Sequence, residues 1–148
     1  MSAPALNRPG GMPPPIVEPV NEGLWRAAAE GRLDVQRCTA CGVHRNPPTD
    51  GCRRCGSLTW EWDTLPGTGV IATYVWMPDS TRSGGDDAAL FYNVVVIDLD
   101  GVHGGPVRIV SNVVDAWNLD DLEVGLRVTL RCVPLGDGLG LPCFRRDQ

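Results

Sequence analysis

Two Cys-x-x-Cys-Gly turns, Cys38-Thr39-Ala40-Cys41-Gly42 and Cys52-Arg53-Arg54-Cys55-Gly56, stand ten residues apart in this chain. Each turn brings two sulfurs to one side. The glycine after the second cysteine permits a positive φ, which lets backbone N–H groups face those sulfurs. Two such turns facing one another supply the tetrahedral four-thiolate cage that zinc takes in structural sites. Cys38, Cys41, Cys52 and Cys55 are therefore the candidate ligands of a Zn²⁺ ion. Two disulfides are the competing reading. The sequence shows no secretory leader, so the expected location is the cytoplasm, where paired CxxC turns favour metal over disulfides. Iron in a rubredoxin-type site would use the same four thiolates, but the gap here is much shorter than a rubredoxin's. The spacing predicts a structural zinc ribbon.

With 148 residues there is room for one ordinary domain, or for a small module and a compact one. The hydrophobic fraction of 43% is enough for a core. No apolar run approaches the roughly 20 residues of a membrane span. Charge is uneven. Residues 26–55 carry six arginines against Glu30, Asp34 and Asp50, whereas residues 56–148 carry six arginines against thirteen acids. Arg37, Arg45, Arg53 and Arg54 flank the cysteines, where cations offset a four-thiolate cage's charge. An acidic C-terminal half with few aromatics argues against a nucleic-acid groove, since phosphate contacts dominate that affinity. There is no lysine. That excludes a Schiff-base mechanism within this chain.

Residues 1–20 hold Pro4, Pro9, Pro13, Pro14, Pro15 and Pro19, and read as a proline-rich arm. Such an arm is either a disordered tail or a segment lying along a partner. Residues 21–62 read as a helix plus the ribbon, with Asn21 capping Glu22 to Glu30 before Gly31. Leu33 to Arg37 alternates like a strand and runs into the first knuckle. Residues 63–148 have a period of two. Strands are expected at Val70–Met77, Leu90–Leu99, Val107–Val114, Leu126–Val133 and Gly140–Phe144, with one helical turn over Asn118–Leu122. Pro78 to Ala88 reads as a polar loop. The fold class is mostly β: an N-terminal helix and rubredoxin-like zinc ribbon, then a five-stranded OB-fold barrel. An SH3-like barrel is the alternative that periodicity leaves open.

The ordered set of motifs resembles the zinc-ribbon plus OB-fold family once called domain of unknown function 35. The resemblance rests on Leu33-Asp34-Val35-Gln36-Arg37-Cys38, Pro47-Pro48 before the second knuckle, and Gly56-Ser57 after it. It continues through Trp62, Gly67-Thr68-Gly69, Tyr92, the stretch Leu122 to Val128 and Leu141-Pro142-Cys143-Phe144. It spans roughly residues 18–146. The resemblance implies a non-catalytic accessory subunit working with a thiolase-like, sterol-carrier-type enzyme in a cytoplasmic heterotetramer. In that setting the partner holds most of the acyl-CoA and acts as a lyase, a retro-aldolase cleaving a β-hydroxyacyl-CoA in steroid side-chain degradation, part of lipid metabolism. Partnership with a true thiolase or acyltransferase, or with a MaoC-type enoyl-CoA hydratase, is the alternative, as is a stand-alone acyl-CoA-binding protein. The four cysteines carry over as metal ligands, and no catalytic residue carries over.

The residues themselves offer no catalytic constellation. His44 and His103 read as loop histidines. Cys132 and Cys143 read as buried small apolar residues, with Val128, Leu130 and Cys132 facing inward. Asp120 and Asp121 suit the start of a helical turn. Leu24, Trp25, Trp60 and Trp76 are candidate partner anchors, because tryptophan is favoured at interface hot spots; a core role is equally open. Arg82, beside a glycine-rich stretch, is a candidate for the phosphates of coenzyme A, with solvated arginine as the simpler reading.

Overall fold

The computed structural model describes residues 5–79 and 90–147. In chain order the elements are α1 (Glu22–Ala29), β1 (Leu33–Cys38), β2 (His44–Arg45), β3 (Trp60–Leu65), β4 (Thr68–Pro78) and β5 (Phe91–Leu99). Then come β6 (Arg108–Ser111), a 3-10 turn (Leu119–Asp121), β7 (Arg127–Leu130), β8 (Val133–Gly136), β9 (Leu139–Leu141) and β10 (Phe144–Arg146). No helix among the described residues is long and apolar enough to cross a membrane.

The ribbon sheet has the order β2-β1-β3, and β1 pairs with β3 over its full length, from Leu33 opposite Leu65 to Cys38 opposite Trp60. β3 then turns directly into β4. The second sheet is five-stranded, in the order β10-β7-β4-β5-β6. Beyond β6, Val113 bridges in parallel to Phe144 of β10, which brings the sheet's two edges together as a barrel. On β5 the residues Asn93, Val95, Ile97 and Leu99 are buried, as the period of two requires. β4 contains a register shift between Ile71 and Thr73. An added residue re-aims every side chain after it, so Ile71 is buried before the shift while Tyr74 and Trp76 pack on the core after it.

One core joins the two parts. Leu24 of α1, Leu33 and Val35 of β1, and Leu65 of β3 pack with Ile71, Val95, Ile97, Val128 and Phe144 of the barrel. The helix and the leading strand of the ribbon are thereby fixed to the barrel by apolar burial, the dominant favourable term in folding.

Several local details differ from expectation. Asn21 does not cap α1 with its side chain. Its Oδ1 instead accepts the Glu18 N–H at 2.8 Å and its Nδ2 donates to the Ile16 carbonyl at 3.1 Å, tying the arm to the helix. The fourth of the expected barrel strands ends at Leu130, and the chain then forms a separate β8–β9 hairpin. Gly140 of β9 lies against the backbone of Ala28 and Ala29, and a Cβ there would come within 2.5 Å of the Ala29 nitrogen. The hairpin can therefore close on α1 only with glycine at this position. Because the alternation breaks after Leu130, Leu130 and Cys132 are half-buried while Val128 is fully buried.

The arm, over its described part, is seated on the barrel. Asn7 is fully buried. Its Nδ2 donates to the carbonyls of Phe91 (3.0 Å) and Ala116 (2.8 Å), and its N–H donates to the Val114 carbonyl at 2.7 Å. Leu6 packs beside Val114, Val133 and Cys143. Proline spacing forbids helix and core strand, but it does not forbid a segment anchored by one buried asparagine.

Candidate metal centre

The cysteine turns are built as the spacing requires. Gly42 and Gly56 have φ of 81° and 78°, and each donates its N–H to the carbonyl of the first cysteine of its turn, Cys38 or Cys52, at 2.9 Å. This winds the intervening N–H groups round the sulfur. The N–H groups of Cys41 and Ala40 point at the Cys38 thiol and hold it down to about 6. Those of Cys55 and Arg54 lower the Cys52 thiol in the same way.

The four sulfurs, from Cys38, Cys41, Cys52 and Cys55, lie within 4.8 Å of one another. Cys38 Sγ is 3.6 Å from Cys55 Sγ, and Cys41 Sγ is 3.6 Å from Cys52 Sγ. A tetrahedral zinc with Zn–S bonds of about 2.3 Å sets S···S edges of about 3.8 Å. The cage fits that ion, and the S···S distances are far beyond the roughly 2 Å of a disulfide. At Cys55 the Ser57 N–H lowers the thiol, but the neighbouring thiols outweigh it and raise the group to about 11. Four sulfurs this close do not all ionise without a cation among them. Cys38 and Cys52 are buried with Val43 in a small cluster of their own, while Cys41 and Cys55 are exposed.

Of the flanking arginines, Arg37 donates to the Gly42 carbonyl at 3.2 Å. Arg45 is used to hold the ribbon together, donating to Gln36 Oε1 at 2.7 Å and the Thr49 carbonyl at 3.0 Å.

His44 is not a loop residue. It sits on β2 with its side chain almost wholly buried, and its Nε2 lies 2.7 Å from Asp63 Oδ2 on β3. Its Nδ1 accepts the N–H of His103 at 3.0 Å, its own N–H donates to the His103 carbonyl, and the two rings stack 5.7 Å apart. With Nδ1 accepting, the ring proton is on Nε2 and is donated to Asp63. His103 is exposed, as a turn histidine should be, yet it docks the barrel's β5–β6 loop onto the ribbon. No local pattern links residues 44, 63 and 103, so only the fold could bring them together.

The candidate anchors separate. Leu24 is a core residue at 6% exposure, since it occupies the inward face of α1. Trp25 and Trp76 are half-buried against the same core, and Trp60 is half-buried and meets Trp62 edge-on at 5.1 Å. The exposed apolar side chains lie elsewhere. Val75, Met77 and Val110 stand on the outer face of the barrel sheet, where Val75 pairs with Val94, Met77 with Tyr92 and Val110 with Val96. Alternation read on from Ile71 would turn Val75 and Met77 inward; the register shift before Thr73 is what exposes them. Cys143 is buried, and that burial raises its thiol to about 11, which suits an inert packing residue. Arg82 lies outside the described residues, as does most of the expected Pro78–Ala88 loop.

Comparison with known proteins gives a consistent result. Residues 25–61 match the family model of the ChsH2 rubredoxin-like zinc ribbon domain, and residues 62–133 that of the ChsH2 C-terminal OB-fold domain. A chain of the solved structure described as the Ltp2-ChsH2(DUF35) aldolase matches with a TM-score of 0.72 at 30% identity, over 90% of this chain and 98% of that one. A DUF35-family protein from Sulfolobus solfataricus has the same fold, with a TM-score of 0.58 at 15% identity over 88% of this chain and 85% of that chain. The curated "Probable enoyl-CoA hydratase alpha subunit" of Thermomonospora curvata is 31% identical over 134 residues, which are 90% of this chain. The match spans 39% of that relative's length.

Proposed function

We propose, because the chain belongs to the ChsH2 family of zinc-ribbon plus OB-fold proteins, that it is the accessory subunit of a thiolase-like acyl-CoA enzyme acting as a retro-aldolase on a β-hydroxyacyl-CoA. The observation that carries this reading is the likeness of 90% of this chain to 98% of a chain of the Ltp2-ChsH2(DUF35) aldolase. Steroid side-chain degradation is the setting that the family resemblance adds.

In this reading Cys38, Cys41, Cys52 and Cys55 bind zinc, which supplies folding energy to the ribbon and takes no part in the chemistry. The chemistry belongs to the partner, which removes the β-hydroxyl proton and stabilises the thioester enolate as the carbon–carbon bond breaks. The buried position of His44, hydrogen-bonded to Asp63 and to the His103 backbone, supports a structural duty for that residue. The apolar outer face around Val75, Met77 and Val110 supports subunit docking, since exposed apolar groups of this kind mark contact surfaces. The resemblance also suggests a heterotetramer of two copies of each subunit.

A second reading is favoured by the relative's name. There the chain would serve an enoyl-CoA hydratase, with the matched 39% of the Thermomonospora curvata protein in the same role.

One experiment addresses both readings. The chain is purified alone and co-expressed with a candidate thiolase-like or hydratase partner, and each preparation is given a β-hydroxyacyl-CoA and an enoyl-CoA. The accessory reading expects a stable complex, no turnover by the chain alone, and release of a carbonyl compound with a shortened acyl-CoA. Turnover by the isolated chain overturns it. Hydration of the enoyl-CoA by the complex, without carbon–carbon cleavage, replaces the aldolase reading with the hydratase one.

A further inference from the structure

A cleft of about 660 Å³ lies where four separate parts of the chain meet: the arm, α1, the Asn46–Pro48 loop of the ribbon and the β6 edge of the barrel. We propose that it binds a neutral, mainly apolar small molecule bearing a hydroxyl or carbonyl group. The volume falls within the roughly 300–1,000 Å³ of small-molecule sites. Its walls are predominantly apolar, with Met12 from the arm, Leu24 from α1, Val110 from β6 and Leu141 from β9.

Three residues of the lining each carry a buried polar atom without a partner in the protein: Trp25 Nε1, Asn46 Oδ1 and Asn112 Oδ1. Their other groups are committed. Asn46 Nδ2 donates to the Arg108 carbonyl at 2.9 Å, and Asn112 Nδ2 donates to the Asn93 carbonyl and Oδ1, each at 3.1 Å. A buried donor or acceptor left unpaired is costly, so one indole N–H and two carboxamide oxygens here call for a counterpart. A ligand hydroxyl can accept from the indole and donate to a carboxamide; a ligand carbonyl can accept from the indole.

The charges in the lining point to a neutral ligand. They are Arg8, Glu18 and Arg108, and Arg108 already donates to Asp98 Oδ1 at 2.6 Å. That leaves one positive and one negative group, which would not offset the burial of an anion. The cleft also has fixed walls. Asn7 pins the arm to the barrel and Asn21 pins it to α1, so the pocket is largely preformed. The proposal does not depend on which enzyme the chain partners.

The test titrates the zinc-loaded full chain with Nile red, a neutral apolar dye bearing a carbonyl, and follows its fluorescence. Saturable one-site binding is expected, displaced by decan-1-ol about ten-fold more effectively than by decanoate, whose charge must be buried. Met12 and Val110 are 61% and 68% exposed, so Met12→Arg and Val110→Arg should leave the melting temperature unchanged. Each should weaken Nile red binding about ten-fold or more. The proposal is overturned by the absence of saturable binding, by equal displacement with decanoate, or by wild-type affinity in both arginine variants.

Discussion

Replacing Asn93 by leucine tests how the barrel closes. Asn93 is fully buried on β5, opposite the point where β6 has ended. Its Oδ1 accepts the Val113 N–H at 2.7 Å and its Nδ2 donates to the Val113 carbonyl at 2.9 Å, so a side-chain amide continues the ladder. Val113 is itself fully buried and carries the bridge to Phe144. In Asn93→Leu the Val113 carbonyl keeps the Ala116 N–H at 3.4 Å, but the Val113 N–H loses its partner. An orphaned buried N–H costs about 1–3 kcal/mol and the two hydrogen bonds lost with Val113 about 1 kcal/mol each, while Asn112 Nδ2, which also loses Asn93 Oδ1, keeps the carbonyl of residue 93 at 3.1 Å. Leucine returns about 1–2 kcal/mol through added apolar burial. The net expectation is a loss of about 2–3 kcal/mol, a fall in melting temperature of about 5–10 °C for a chain of this size. Asn93→Asp sharpens the test. Its carboxylate would sit dry beside the Val113 and Ala116 carbonyls, so its folded pKa is raised above the unfolded value of about 3.9. The penalty is therefore full at neutral pH and shrinks as pH falls and the acid takes up a proton able to donate to a carbonyl. Urea unfolding of the zinc-loaded chain at pH 7.5 and pH 5 provides the assay. A leucine variant as stable as wild type, or an aspartate penalty that grows on acidification, would refute the argument.

Further outcomes are expected. Cys38→Ser should reduce bound zinc from one ion per chain to a small fraction, measured by metal analysis, and should abolish complex formation before it reveals any other defect. Acidification should release zinc from the wild-type cage, because protons compete for the same thiolates; retention of metal at pH 4 would contradict the four-thiolate assignment. His44→Ala removes the bond to Asp63 and the acceptor for the His103 N–H, both at solvent-accessible partners, so about 1–2 kcal/mol is expected, with faster amide exchange at His103. The Asp121 carboxylate accepts the Asn118 and Trp117 N–H groups and faces Arg146, which hold it below the usual carboxylate range. A depressed folded pKa gives stability that is present above the unfolded value of about 3.9 and fades as pH falls through the folded one. The stability gap between wild type and Asp121→Asn should thus be widest near neutrality and close below about pH 4.

The sequence by itself determined the parts whose chemistry is local. The spacing of Cys38, Cys41, Cys52 and Cys55, with Gly42 and Gly56 behind them, leaves few foldings other than a metal ribbon, because each turn satisfies its own geometry within five residues. The strands at β4 and β5 were legible because their runs of β-branched, aromatic and apolar residues favour the extended chain. Tertiary structure decided whatever depends on distant partners. The bulge after Ile71 reversed the facing of Trp76 and exposed Val75 and Met77, which periodicity alone cannot see. Asn7 found its acceptors 84 and 109 residues away, turning a proline-rich segment into a wall of the cleft. His44 reached Asp63 19 residues away and His103 59 residues away, and so became the clasp between ribbon and barrel. A buried polar group must be paired, but sequence does not say with what; only the closed fold supplies the partner.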